Sequence, residues 1–124
     1  MKTYVTTDFS LSMLEKRKRF RVAIDELSFE EFKEELLSAR DFVEVISNEN
    51  LAKILSWKLE VKLKVNLQII AMEKWDVILC AIPLFQVTEV KLDYSWDEAL
   101  KAEFRYFIVG TAGLHKKPKE WVCV

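Results

Sequence analysis

The chain has 124 residues, of which about half are apolar and nearly one-third are charged. This composition excludes an intrinsically disordered protein and predicts one globular domain. A net charge of −1 at neutral pH excludes a uniformly basic nucleic-acid binder. No apolar run approaches the roughly 18 residues of a membrane span, and residues 1–10 have no signal-peptide core, so we expect an intracellular protein. Two glycines and many lysines and glutamates fit a heat-adapted protein.

The charges are unevenly placed along the chain. Residues 25–50 are strongly acidic, whereas residues 1–21 are mostly basic. The basic segment contains one dense cluster, Lys16, Arg17, Lys18 and Arg19. This cluster has two interpretations, a solvated loop or a site that binds nucleic-acid phosphates.

Three elements are predicted before residue 40. Thr3–Thr6 is typical of a strand, and alternating apolar residues over 20–24 predict a second strand. Ser28 and Glu31 have the spacing of a capping box, which predicts a helix that begins at Ser28. The acidic residues of this helix follow its solvated face, and helical spacing explains them without a catalytic or metal cluster.

The stretch from residue 41 to residue 57 is the one around which the other predicted elements are arranged. An apolar run over 42–46 predicts a strand, and Ser47 or Asn48 is the predicted N-cap of a helix that continues to Trp57. A helix that starts directly after a strand presents free backbone N–H groups, which favour phosphate and other anions.

The second half of the chain predicts further strands and one more helix. Apolar and polar residues alternate over 59–68, which predicts strand in more than one segment. Val77–Phe85 is typical of a buried strand, and Pro83 marks an end, an edge or a bulge in it. Three more elements follow: a short strand over 87–92, a helix over 95–102 that starts with a capping-box spacing at Ser95, and a strand over 104–109.

The predicted fold is therefore α/β (α+β), a mixed β-sheet flanked by about three α-helices. We expect a single α/β domain over residues 1–109 and a C-terminal extension over residues 110–124. Cys80 is predicted to be a buried thiol, with a disulfide to Cys123 as the alternative. The single histidine, His115, lies in the extension, and the residues show no metal-ligand spacing or glycine-rich loop. We therefore predict no metal site and no cofactor.

Several motifs together resemble those of a known family. They are the Thr6–Thr7 step after the first strand, ELSFEEFKEELLS (Glu26–Ser38), DFVEVISNENLAKIL (Asp41–Leu55), DVILCAI (Asp76–Ile82), and SWDEAL before FRYFIV. Across residues 3–109 the chain resembles a family of small proteins of crenarchaeal viruses. That family includes the viral ring nucleases, which are anti-CRISPR enzymes that cleave cyclic tetra-adenylate.

The resemblance implies a homodimer in the host cytoplasm, with a ligand across the interface between the two subunits. Thr7 matches a ligand-contacting serine of the family, and the implied ligand-binding residues are Thr6, Thr7, Ser47 and Asn48. The catalytic histidine of the family lies in an Ile-Gly-His step, which corresponds here to Ile46, Ser47 and Asn48. An asparagine amide is no general acid near neutral pH, so we predict no catalytic residue.

Three functional interpretations follow. In the leading one, the chain is a non-enzymatic, dimeric viral protein that binds a cyclic oligoadenylate or a host protein. In the second, it is an active ring nuclease in which Asn48 orients a phosphate while the ligand's own ribose hydroxyl attacks. In the third, it binds DNA or RNA through the basic cluster. The arginines of the family fall near residues 84–86, where this chain has no basic residue, and this favours the first interpretation over the second.

Overall fold

The structure, a computed structural model, describes residues 2–14, 22–39, 41–73, 75–85 and 101–111. These residues form five β-strands and two α-helices, together with a short 3₁₀ turn at Leu11–Met13. The elements in chain order are β1 (Thr3–Thr6), β2 (Val22–Leu27), α1 (Phe29–Ser38), β3 (Phe42–Val45), α2 (Glu49–Leu59), β4 (Val77–Pro83) and β5 (Phe104–Thr111).

The five strands form one mixed sheet in the order β2-β5-β4-β1-β3. The central strand β1 is parallel to both β3 and β4, and β5 is antiparallel to both β4 and β2. Four strands therefore end at the same edge of the sheet, which we call the carboxyl edge, and β5 begins there. The predicted mixed sheet flanked by helices is confirmed, with two α-helices in the described residues rather than about three.

Both helices begin where the sequence predicts, because local hydrogen bonds define their starts. The Ser28 hydroxyl accepts a hydrogen bond from the Glu31 backbone N–H (3.1 Å), and the Glu31 carboxylate accepts one from the Ser28 N–H (2.9 Å). These reciprocal bonds are the predicted capping box of α1. Of the two candidate caps for α2, Asn48 is the N-cap, since its Oδ1 accepts from the Leu51 N–H (3.1 Å).

The two faces of the sheet carry separate apolar cores. The larger core lies on the helix face, where Phe32 of α1 and Leu55 of α2 pack with Val5, Leu79 and other buried residues. On the opposite face, buried residues of β1, β4 and β5 pack with Ile70 and Met72 of the segment between α2 and β4. Burial of both faces explains why β4 reads as a continuous apolar run rather than an alternating one.

The predicted strand over residues 59–68 is wrong. Leu59 is the last residue of α2, Glu60 adopts a left-handed conformation that ends the helix, and residues 61–73 contain no strand. This segment instead crosses the free edge of β3, where the Asn66 N–H donates to the Ile46 carbonyl (3.0 Å) and Asn66 Nδ2 donates to the Glu44 carbonyl (2.7 Å). The apolar alternation does not correspond to one buried face, since Leu67 is 77% exposed.

Other predictions differ from the structure at their boundaries or cannot be compared with it. The second strand begins at Val22 and continues to Leu27, β4 ends at Pro83, and β5 continues to Thr111. The predicted strand over 87–92 lies outside the described residues, as does the predicted helix over 95–102 apart from its end, where Lys101 has helical backbone. The division into a domain and an extension stays a prediction. Within the described ranges, no helix is long and apolar enough to cross a membrane.

Candidate ligand-binding site at the carboxyl edge

Strand pairing brings two distant parts of the sequence together at the carboxyl edge. In the parallel pair of β1 and β3, Thr6 is the register partner of Val45. The residues that directly follow, Thr7 on one side and Ile46 on the other, therefore leave neighbouring strands about 4.8 Å apart. The predicted ligand-binding residues Thr6, Thr7, Ser47 and Asn48 thus lie at one edge, although about 40 residues separate the two pairs.

Thr6 has a structural function at this edge. Its side chain is buried, and its hydroxyl donates to the Asp8 carbonyl (2.9 Å) and accepts from the Asp8 N–H (3.2 Å). These bonds close a tight turn at the end of β1, as threonine hydroxyls commonly do. The Thr6 hydroxyl is therefore occupied by the backbone, whereas no described residue bonds to the Thr7 hydroxyl.

The amino terminus of α2 is the part of the edge that is suited to an anion. Ser47 is exposed immediately before the helix, and α2 is 11 residues long. The first turn of a helix has backbone N–H groups without intrahelical partners and a partial positive charge. Asn48 satisfies one of these groups through its cap, and Glu49 adds an exposed carboxylate in the first turn.

Two buried polar side chains at the carboxyl edge have no hydrogen-bond partner among the described residues. Asn50, in the first turn of α2, is 6% exposed, and Thr7 is 7% exposed. No hydrogen bond joins either side chain to another residue in the described part of the chain. Buried polar groups are nearly always hydrogen-bonded, and those without a partner call for a specific explanation such as a ligand or a water molecule. Both side chains are therefore candidate ligand contacts.

Sequence reasoning missed Asn50, although the helical pattern contains the signal. Asn50 precedes Ile54 by four residues, so both lie on one face of α2, and Ile54 is fully packed in the core. An asparagine at a core-facing position of an amphipathic helix lowers the stability of the fold unless its amide is hydrogen-bonded, so its presence there indicates a partner or a function.

Basic side chains also lie close to the carboxyl end of β4. A cavity of about 510 Å³ on the helix face is lined by Leu84, the residue that follows β4, and by Lys58 and Lys101. Burial lowers the pKa of Lys58, and the nearby Glu103 carboxylate acts in the opposite direction. Sequence position suggested no positive charge near residues 84–86, yet the fold supplies two lysines there from α2 and from the segment before β5.

Several predicted residues lie outside the described residues. They are Lys16, Arg17, Lys18, Arg19, His115 and Cys123. The nucleic-acid site and the function of the extension therefore stay predictions. Cys80 is a free, buried thiol, as predicted. In the described ranges, no group of three or more histidine, cysteine, aspartate and glutamate side chains could hold a metal ion.

Comparison with known proteins shows the fold and leaves the family open. No protein-family model and no curated protein matches the chain. Among solved structures it is similar to B116 of Sulfolobus turreted icosahedral virus, with a TM-score of 0.74 and 20% sequence identity. The match covers 89% of this chain and 99% of that one. At this identity the likeness establishes that the two chains share a fold across nearly their whole lengths.

Proposed function

We propose that the chain is a small dimeric protein of a crenarchaeal virus that binds a nucleotide ligand at the carboxyl edge and does not cleave it. The sequence resemblance to the viral ring nucleases and the shared fold with a virus protein support the source and the ligand class. The dimer rests on the resemblance, in which the ligand lies between two subunits. Cyclic tetra-adenylate is therefore the first ligand to test.

One observation carries the proposal, namely the parallel pairing of β1 with β3. It places Thr7, Ser47 and the amino terminus of α2 at a common edge, where the resemblance puts the ligand. Free backbone N–H groups of a helix terminus suit a phosphate. The buried side chains of Thr7 and Asn50 supply polar groups that gain hydrogen bonds when a ligand is present.

The chemistry of the edge supports binding without cleavage. Opening a phosphodiester ring requires a proton for the leaving oxygen, and a positioned general acid contributes about 10²–10⁴-fold to such a rate. At the position of the family's histidine stands Asn48, whose amide neither gives nor takes a proton near neutral pH. Its Oδ1 is moreover held by the Leu51 N–H as the cap of α2. Asn48 therefore orders the helix start and leaves the phosphate intact.

Equilibrium binding of cyclic tetra-adenylate tests the proposal. Calorimetry should detect saturable binding by the natural protein. The variant Ser47→Asp places a carboxylate beside the α2 terminus and should weaken binding at least about tenfold, which corresponds to about 1.4 kcal/mol.

The matched control is Ser38→Asp, which adds the same charge at the exposed last residue of α1, before the opposite edge of the sheet. This control should bind like the natural protein. Absence of binding by the natural protein, or equal losses in both variants, would contradict a site at the start of α2.

A further inference from the structure

A second cavity, of about 360 Å³, lies on the sheet face opposite the helices. We call it the Asp8 cavity, because Asp8 and its neighbours Thr7 and Phe9 line one side of it. Its volume falls within the range of about 300–1,000 Å³ that is usual for small-molecule sites. It opens beside the turn that follows β1.

Apolar side chains from three adjacent strands, β2, β5 and β4, form the floor of the Asp8 cavity. Val109 of β5 is the register partner of Ile24 in β2, and Phe107 is the partner of Cys80 in β4. Partners in an antiparallel pair present their side chains on the same face of the sheet. Together with Ile82 they give a continuous surface on which an aliphatic chain or an aromatic ring can pack.

The residue that carries the carboxylate beside this floor, Asp8, is anchored through its backbone. The Thr6 hydroxyl donates to the Asp8 carbonyl and accepts from the Asp8 N–H, and these two bonds fix the main chain of Asp8 at the end of β1. The Asp8 side chain itself is exposed, and no ion pair joins it to a basic residue in the described part of the chain. Its negative charge is therefore not neutralised by a cation of the described structure.

The polar groups around the Asp8 cavity accept hydrogen bonds and carry negative or no charge. Burial, with a smaller contribution from the nearby Asp8 charge, raises the pKa of the Cys80 thiol to about 12, so this thiol stays neutral. Thr7 adds a buried hydroxyl without a partner among the described residues. Among the described residues that line the Asp8 cavity there is no lysine or arginine. A complementary ligand must therefore bring an apolar body and a positively charged donor.

We propose that the Asp8 cavity binds a small amphipathic amine, whose apolar body packs on Phe107 and Val109 and whose ammonium group contacts the Asp8 carboxylate. Because this ligand has the opposite charge to a nucleotide phosphate, the site is separate in chemistry from the one at the start of α2. The proposal stands or falls without reference to nucleotide binding.

A titration with three probes of the same size tests the proposal. The probes are 2-phenylethylamine, 2-phenylethanol and phenylacetate, which share an aromatic body and differ in charge. Two-dimensional amide NMR of the full chain should show saturable shifts at Phe107 and Val109 with the amine. The alcohol should bind about tenfold more weakly, because its neutral hydroxyl lacks the ammonium's attraction to the Asp8 carboxylate and about 1.4 kcal/mol corresponds to tenfold, and phenylacetate should bind more weakly still.

Two matched variants decide whether Asp8 is responsible. Asp8→Asn keeps the shape of the residue and removes its charge, so it should bring amine affinity to within about twofold of alcohol affinity. Asp25→Asn makes the same change at an exposed residue of β2 that does not line the cavity, and should leave the tenfold preference intact. Equal affinity for amine and alcohol in the natural protein, no binding of any probe, or an unchanged preference in Asp8→Asn would overturn the proposal.

Discussion

Replacing Asn50 with leucine should stabilise the protein, which is unusual for a substitution at a buried position. Asn50 is only 6% exposed, and no described residue forms a hydrogen bond with its side-chain amide. An unsatisfied buried polar group costs about 1–3 kcal/mol, and an apolar side chain of similar shape removes that cost. Leucine also suits the face of α2 on which Ile54 is packed. We therefore expect Asn50→Leu to raise the free energy of unfolding by about 1–3 kcal/mol.

Urea unfolding followed by circular dichroism measures this change. The midpoint should move to higher urea while the slope m stays constant, as expected when stability changes without a change in the exposed surface. The thermal midpoint should rise by about 3–5 °C for each kcal/mol, between the values for smaller and larger domains. The same variant should lose affinity for a ligand that uses the Asn50 amide.

Two other asparagines provide the controls, because their side chains have partners. Asn66→Leu removes the bond from Nδ2 to the Glu44 carbonyl and should destabilise the protein. Asn48→Ala removes the cap of α2 and should cost about 1 kcal/mol. If Asn50→Leu instead lowers stability by 1 kcal/mol or more, then its amide is satisfied in the native state and the reasoning is refuted.

Three further predictions concern the basic cluster, the dimer and the buried thiol. If the cluster binds nucleic acid, affinity should fall steeply with salt, and a fourfold alanine variant should lose retention on a nucleic-acid column; unchanged retention would reject that function. Light scattering should give a dimer mass across micromolar concentrations, and a monomer mass would contradict the proposed assembly. Cys80 should resist alkylation at neutral pH until the chain unfolds, because burial raises its pKa to about 12; mass spectrometry would reveal early labelling. The fourfold alanine variant of the nucleic-acid test replaces Lys16, Arg17, Lys18 and Arg19.

Features defined by short-range hydrogen bonds could be predicted from the sequence. The Ser28 and Glu31 pair predicted the start of α1, because both bonds of a capping box lie within four residues. Asn48 was one of two predicted caps for the same reason. The apolar run of β4 also identified a buried strand, since a continuous apolar run of this length suits a strand and is too short for a typical helix.

Features that depend on tertiary contacts were not predicted. The alternation over residues 59–68 is typical of a strand, but Asn66 instead covers the free edge of β3, and no local signal indicates which edge needs covering. Lys58 and Lys101 are far apart in sequence and line one cavity only because of how the helix and sheet pack. The grouping of Thr7 with Ser47 came from the resemblance, and strand register supplies its physical basis.

The most direct test of the account compares the natural protein with Asn48→His in one assay. Radiolabelled cyclic tetra-adenylate is incubated with each protein, and retention of the ligand and its cleavage are followed in the same samples. We predict that the natural protein retains intact ligand, and that cleavage appears only in Asn48→His, where an imidazole can transfer a proton near neutral pH. Rapid multiple-turnover cleavage by the natural protein would contradict the account.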